Sequence, residues 1–106
     1  MVEDISPREL DRRRRDGEPW QLLDVREVWE IEMASVDDAV CIPMGEVPGR
    51  LDEIDRDAPV AVLCHSGVRS ARVAAFLEQS GFATVRNVAG GIDRWAEDVD
   101  PGIPRY

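Results

Sequence analysis

The stretch from Pro59 to Gly81, PVAVLCHSGVRSARVAAFLEQSG, contains the pattern that decides the fold. Its first part, PVAVLC, is a continuous apolar run of the kind that forms a strand in the middle of a parallel sheet. From Val73 to Leu77 the apolar residues recur at helical spacing, and Gly81 can end the helix. Cys64 is therefore predicted to lie where a buried strand passes into a helix.

The same alternation runs through the rest of the chain. Short apolar runs predict three further strands, QLLDV (21–25), AVCIP (39–43) and TVRNV (84–88), and each is followed by a helical pattern. An additional helix pattern precedes the first of them. The order of elements predicts an α/β fold with a mainly parallel sheet, and the length predicts one domain over residues 1–106.

The composition excludes several classes of function. The formal net charge is -9 at pH 7, and all 13 basic residues are arginine, which excludes a catalytic lysine. An acidic excess of this size argues against nucleic acid and anionic membranes as partners. No apolar run reaches the length of a membrane span, and the N-terminus lacks the layout of a signal peptide. We therefore expect a cytoplasmic protein that binds neither nucleic acid nor membrane.

The cysteine and histidine content limits metal and redox chemistry. Two cysteines are too few for a disulfide scaffold, and one histidine without a CxxC pair makes a zinc site improbable. We expect neither a metal nor a cofactor. Cys41, which lies in the middle of the predicted strand 39–43, is interpreted as a small buried hydrophobic residue.

The loop that begins at Cys64 has the residue types needed to stabilise a thiolate. Backbone N–H groups in a strand-to-helix turn, together with the helix N-terminus, lower a thiol pKa below its usual value of about 8.5. Gly67 permits a tight turn, and the hydroxyls of Ser66 and Ser70 can donate hydrogen bonds to an anion. Cys64 is therefore predicted to act as a nucleophile at neutral pH.

Several neighbouring residues have two interpretations. Arg69 can face the sulfur anion or brace the loop from behind. Asp24 ends its strand on the side where the loop should lie, which predicts an Asp24–Arg69 ion pair, although Asp24 can also be a plain strand end or a helix cap. His65 can act as a base, but an outward orientation is favoured. Gly90 and Gly91 are better explained by a tight turn than by a role in the rim of the site.

Five blocks in order, LDVRE, IPMGEVPGRL, VLCHSGVRS, NVAGGIDRW and DPGIPRY, resemble the rhodanese family of thiosulfate:cyanide sulfurtransferase-like proteins over nearly the whole chain. The resemblance implies an α/β domain with a central parallel sheet of about five strands, flanked by helices. It also implies that Cys64 takes a sulfane sulfur from a donor such as thiosulfate, holds it as a persulfide, and passes it to cyanide or a thiol. The residues implied to bind the anion and the persulfide are His65, Ser66, Gly67, Val68, Arg69 and Ser70, with Asp24 as their support.

One segment departs from the family pattern. Many relatives have a His-Ile-Pro-Gly-Ala block where this chain has Ser35 to Ala39, SVDDA. The block is mostly scaffold, so catalysis is expected to be preserved while the local loop geometry stays open. If Asp24 neutralises Arg69, little charge remains for an anionic donor apart from Arg72, which predicts weak affinity for thiosulfate.

Three alternatives remain at this point. A sulfur-relay carrier or regulatory binding module would form the same persulfide with protein donors and acceptors. A cysteine phosphatase of the same fold would need one residue more than the four between Cys64 and Arg69, and the shorter loop suits a sulfur atom better than a phosphate ester. An inactive scaffold is disfavoured by the complete loop.

Overall fold

Strands and helices alternate in the computed structural model, which describes residues 2–106. The strands are β1 (Glu3–Ile5), β2 (Gln21–Asp24), β3 (Ala39–Cys41), β4 (Val60–Leu63) and β5 (Val85–Val88). The α-helices are α1 (Pro7–Arg15), α2 (Val28–Met33), α3 (Val68–Gln79) and α4 (Gly91–Asp98). Two 3-10 helices, Met44–Gly49 and Leu51–Glu53, connect β3 to β4.

The five strands form one parallel sheet in the order β1-β5-β4-β2-β3. β4 is the central strand, as its continuous apolar sequence predicts. The α/β fold with a parallel sheet flanked by helices is thereby confirmed. The patterns in the sequence missed β1, because three residues are too few to show a periodicity, and this strand is defined by its pairing with β5.

Both faces of the sheet are covered by helices. Val60 and Val62 of β4 pack with α3 and the 3-10 helices on one face, whereas Ala61 and Leu63 pack with α1 and α4 on the other. This is the alternation of side chains expected along a strand. Cys64 continues it and belongs to the cluster on the α3 face.

The segment that departs from the rhodanese pattern keeps a glycine-like backbone. Asp38 has φ 64°, which makes it the one residue other than glycine with positive φ in the part of the chain described. Aspartate is among the residues that tolerate this left-handed conformation. Asp38 therefore takes the place of the pattern's glycine, and β3 pairs with β2 directly after it.

Candidate active site

The side chain of Cys64 lies among hydrogen-bond donors directly after β4, and only 1% of the residue is exposed. The Gly67 N–H donates to Sγ at 3.1 Å, and Oγ of Ser70 lies 3.2 Å from Sγ. Gly67 has φ 105° and is the N-cap of α3, so the helix starts beside the sulfur. The first N–H groups of a helix have no partner within the helix and are free to bind an anion.

These donors make Cys64 more acidic than an ordinary thiol. Burial has the largest single effect and acts to raise the pKa of Cys64. The Ser70 hydroxyl and the N–H groups of Ser70, Gly67 and Ser66 act in the opposite direction and together outweigh burial, so the pKa is lowered. The donor set therefore favours a thiolate at this position.

Asn87 of β5 holds both Ser70 and the turn. The Ser70 hydroxyl donates to Oδ1 of Asn87 at 2.5 Å, and Nδ2 of Asn87 donates to the Gly67 carbonyl at 3.2 Å and to Oδ1 of Asp4 at 3.3 Å. Because a hydroxyl has a single hydrogen, Ser70 can donate it to Asn87 or to the sulfur but not fully to both, and donation to the sulfur stabilises a thiolate. Asn87, on the strand next to β4, thus fixes the position of the Ser70 hydroxyl beside the sulfur.

The N-terminus of α4 supports the loop from behind. The N–H of Ile92 donates to the Cys64 carbonyl at 2.9 Å, and the N–H of Asp93 donates to the His65 carbonyl at 3.1 Å. A Cβ on Gly91 would lie 2.4 Å from the His65 carbonyl oxygen, and Gly91 also has φ +62°. Gly90 and Gly91 form a tight turn, which is the interpretation favoured in the sequence. Gly91 has a second reason to be glycine, because its backbone lies very close to the loop.

The predicted Asp24–Arg69 ion pair is wrong. Arg69 instead binds Glu30 of α2 through two hydrogen bonds of 2.6 and 2.8 Å. The Arg69 guanidinium is the main reason that the pKa of Glu30 is lowered to about 2. Since the bracing acid comes from α2 rather than from the end of β2, Arg69 supports the loop with a different partner.

Asp24 binds Arg26 because the two residues are neighbours at the end of β2. The Asp24 carboxylate takes hydrogen bonds from the Arg26 guanidinium at distances from 2.6 to 3.1 Å, and both side chains are fully buried. Arg26 also donates to the carbonyls of Ala34 at 2.8 Å and Glu30 at 3.3 Å. Removal of Asp24 would leave Arg26, rather than Arg69, as an unpaired buried charge.

His65 is half-buried and stacks on Tyr106, with ring centroids 4.2 Å apart and planes at 17°. Ser66 and Val68 are exposed, and the loop residue that touches the sulfur through a side chain is Ser70. Arg72 is also exposed and has no ion pair or hydrogen bond within residues 2–106. The structure thus places Gly67 and Ser70 against the Cys64 sulfur and leaves the other loop side chains farther out.

The interpretation of Cys41 as a buried residue is wrong. Cys41 is the last residue of β3, which is an edge strand, and it is exposed. An apolar run such as AVCIP does not show whether its strand lies in the centre or at the edge of the sheet. Only the strand order determines this.

Four residues of the site were missed in the sequence: Arg26, Glu30, Asn87 and Tyr106. Glu30 carried a usable signal, because Glu27 and Glu30 form a capping box at the start of α2. That signal predicts a helix start but not the bond to Arg69. Asn87 and Tyr106 carry no local signal, since their partners are distant in the chain. Arg26 lies close to its partner Asp24, but Arg69 was a competing candidate for that carboxylate.

The described residues contain no group of three or more histidine, cysteine, aspartate or glutamate side chains arranged to hold a metal ion. Within the same residues, no helix is both long enough and apolar enough to cross a membrane.

The chain belongs to the rhodanese-like domain family, which it matches over residues 6–98. It is 40% identical over 104 residues to a protein of Allochromatium vinosum named sulfurtransferase, covering 98% of this chain and 94% of the relative. It is 35% identical to the putative sulfurtransferase YtwF of Bacillus subtilis, covering 94% and 96% of the two chains. The resemblance found in the sequence is thereby confirmed.

Solved structures agree with this assignment. A rhodanese-like domain protein from Staphylococcus aureus has a TM-score of 0.85 and 31% identity, with 99% of both chains covered.

A further relative by sequence is a putative sulfur carrier protein of Bacillus subtilis, which is 35% identical over 94 residues, and this chain spans 51% of its length. The names of these relatives support sulfur transfer as the class of reaction.

Proposed function

We propose that the chain is a sulfurtransferase in which Cys64 carries a sulfane sulfur as a persulfide. The observation that carries the proposal is the convergence of the Ser70 hydroxyl and the loop N–H groups on Sγ, which lowers the pKa of Cys64. Such a group of donors stabilises negative charge on sulfur, whether it lies on a thiolate or on the outer atom of a persulfide.

The reaction with thiosulfate would occur in two displacements. The Cys64 thiolate attacks the outer sulfur of thiosulfate, an S–S bond forms to Cys64, and sulfite leaves with the electron pair of the broken bond. A nucleophile such as cyanide or a thiolate then attacks the outer sulfur of the persulfide, and the Cys64 thiolate leaves. The enzyme returns to its starting state, and no external oxidant or reductant is needed.

Thiosulfate is expected to bind weakly. Arg69 is the arginine within the loop, and its charge is neutralised by two hydrogen bonds to Glu30. Arg72, one helical turn farther along α3, is exposed and has no ion pair or hydrogen bond among residues 2–106, so its guanidinium can contact a dianionic donor. The expectation of weak affinity therefore stands with Glu30 in place of Asp24 as the neutralising group.

Protein partners are a second candidate for the donor and the acceptor. Val28, Trp29 and Met33 of α2 are 61%, 59% and 50% exposed, and Val68 of the loop is 63% exposed. Glu30 of α2 binds Arg69, so α2 lies beside the loop that carries Val68, and exposed apolar side chains on neighbouring segments are common at protein contact surfaces. A sulfur-relay role would use the same persulfide, with thiosulfate and cyanide as substitute reagents.

The test is the intact mass of the purified protein before and after incubation with excess thiosulfate. We expect a gain of one sulfur atom that cyanide removes, that persists in Cys41→Ser and that is absent in Cys64→Ser. A gain that needs a persulfidated protein donor would support the relay role. No gain from either donor, together with turnover of an aryl phosphate, would contradict sulfur transfer and favour the phosphatase alternative.

A further inference from the structure

The hydroxyl of Tyr106 joins the two ion pairs at the carboxyl edge of the sheet. It accepts a hydrogen bond from Nη1 of Arg26 at 3.1 Å and donates one to Oε2 of Glu30 at 2.8 Å. Glu30 binds Arg69 through both carboxylate oxygens. A continuous series of hydrogen bonds therefore connects the end of β2 to the first turn of α3.

The ring of Tyr106 contacts the other end of the same loop. It stacks on His65, which directly follows Cys64, at a centroid distance of 4.2 Å. Trp29 of α2 also contacts the Tyr106 ring in a T-shaped arrangement, with ring centroids 6.2 Å apart and planes at 77°. One side chain thus holds the loop at His65 through its ring and at Arg69 through Glu30.

We propose that Tyr106 is a positioning residue that clamps the loop from His65 to Arg69 and so keeps the loop N–H groups directed at the Cys64 sulfur. The inference rests on the proposed function, because it concerns the same donor group. The donors that lower the pKa of Cys64 come from Ser66, Gly67 and Ser70, which lie between or next to the two clamped residues. Because hydrogen bonds weaken steeply as their angle departs from linearity, a small movement of the loop reduces their effect on the sulfur.

The segment around Tyr106 has anchors besides the Tyr106 side chain. Ile103 is buried in the cluster formed by α1 and α4, and Arg105 binds Asp93 and Glu97 of α4. These contacts hold the segment in place when the Tyr106 hydroxyl is removed. Loss of the hydroxyl therefore tests the clamp rather than the attachment of the whole segment.

The experiment compares Tyr106→Phe and Tyr106→Leu in a Cys41→Ser background, where Cys64 is the single thiol. The pKa of Cys64 is measured from the ultraviolet absorbance of the thiolate and from the pH dependence of alkylation. The Cys64→Ser variant gives the background absorbance that comes from groups other than the thiol. We expect the pKa of Cys64 to rise by about half a unit in Tyr106→Phe and by about one unit in Tyr106→Leu, because loop donors are lost stepwise.

Several charged and titratable groups surround the thiol, and each can contribute to its titration curve. They are His65 and Arg69 in the loop, Glu30 of α2, Asp24 and Arg26 at the end of β2, Tyr106, Asp93 of α4, and Asp4 of β1 behind Asn87. Of these residue types only histidine ordinarily titrates near neutral pH. The His65 ring is therefore followed by NMR in the same samples.

Ile103→Val is the matched control, because it loosens the packing of the same segment without touching the loop. We expect it to lower the melting temperature and to leave the pKa of Cys64 unchanged. If both Tyr106 variants shift that pKa no more than Ile103→Val does, Tyr106 only packs the segment and the proposal is overturned. The thiol titration uses no sulfur donor, so a parent chain that takes up no sulfur contradicts the proposed function separately.

Discussion

Cys64 and Cys41 both lie at the carboxyl edge of the same sheet, yet their surroundings act on the thiol in opposite directions. Cys64 follows the central strand and is 1% exposed, whereas Cys41 ends an edge strand and is exposed. Hydrogen bonds lower the pKa of Cys64. Partial burial, followed by the negative charge of Asp24, raises the pKa of Cys41.

The difference arises from the backbone path after each strand. After Cys64 the chain turns through Gly67 into α3, and N–H groups converge on the sulfur. After Cys41 the chain continues through Pro43 into a 3-10 helix, and the nearest partner of its sulfur is the Ala39 carbonyl at 3.8 Å, an acceptor. A carbonyl cannot stabilise a thiolate, so the edge of the sheet makes a nucleophile only where it also supplies donors.

The largest effect is expected from exchanging the two cysteines for serine. Cys64→Ser should lower the rate of sulfur transfer by about a thousandfold or more, because the covalent route is lost. Cys41→Ser should stay within about twofold of the parent rate, since Cys41 lies outside the donor group. Cyanide-dependent sulfur release measures both, and equal losses in the two variants would contradict the contrast between the cysteines.

The second-largest effect is expected at Gly91, where the N-terminus of α4 supports the Cys64 loop. Gly91→Ala should destabilise the protein by about 3 kcal/mol or more, because its Cβ would overlap the His65 carbonyl at an unfavourable φ. Gly45→Ala is the control, since a Cβ there meets no atom within 4 Å. Urea unfolding of the two variants gives the comparison, and similar stabilities would show that α4 does not restrain the loop.

The third effect concerns the brace on Arg69. The pKa of Glu30 is lowered to about 2, mainly by Arg69 and also by the Glu27 backbone and Tyr106, which is below the value of about 4.3 expected in the unfolded chain. The stabilisation is therefore complete above about pH 4.5 and is lost as the pH falls towards 2. Glu30→Gln should remove this part of the acid sensitivity and lower the stability at pH 7 by about 3 kcal/mol.

The control for the brace is Glu53→Gln. Glu53 also pairs with an arginine, Arg50, but both side chains are substantially exposed, so the pair should contribute little to stability. Urea unfolding from pH 2 to pH 7 distinguishes the two. If Glu30→Gln keeps the parent's loss of stability below pH 4.5, Glu30 is not the group responsible.

The smallest effect separates the two loop serines. Ser70→Ala should raise the pKa of Cys64 by about one unit, because the hydroxyl is the strongest of the donors that oppose burial. Ser66→Ala should change it little, since Ser66 is exposed and contributes its backbone N–H. Thiolate absorbance in a Cys41→Ser background measures both, and equal shifts would mean that the two hydroxyls are equivalent.

The sequence by itself determined the parts of the protein that depend on local pattern. The apolar run before Cys64, the helical spacing after it and a glycine that permits a tight turn between them are local features of the sequence, so the strand, loop and helix could be predicted. Alternation of such units implies a parallel sheet. The same reasoning identified Cys64 as the thiol at the carboxyl edge of this sheet.

Only the tertiary structure decided which partners these residues have. The sequence predicted Asp24 as the partner of Arg69, but in the structure Asp24 binds the buried Arg26, and Arg69 binds Glu30. Tyr106 reaches Glu30 across 76 positions of sequence. Contacts of this kind depend on strand order and helix packing, which no local pattern contains, and the exposure of Cys41 on an edge strand has the same physical origin.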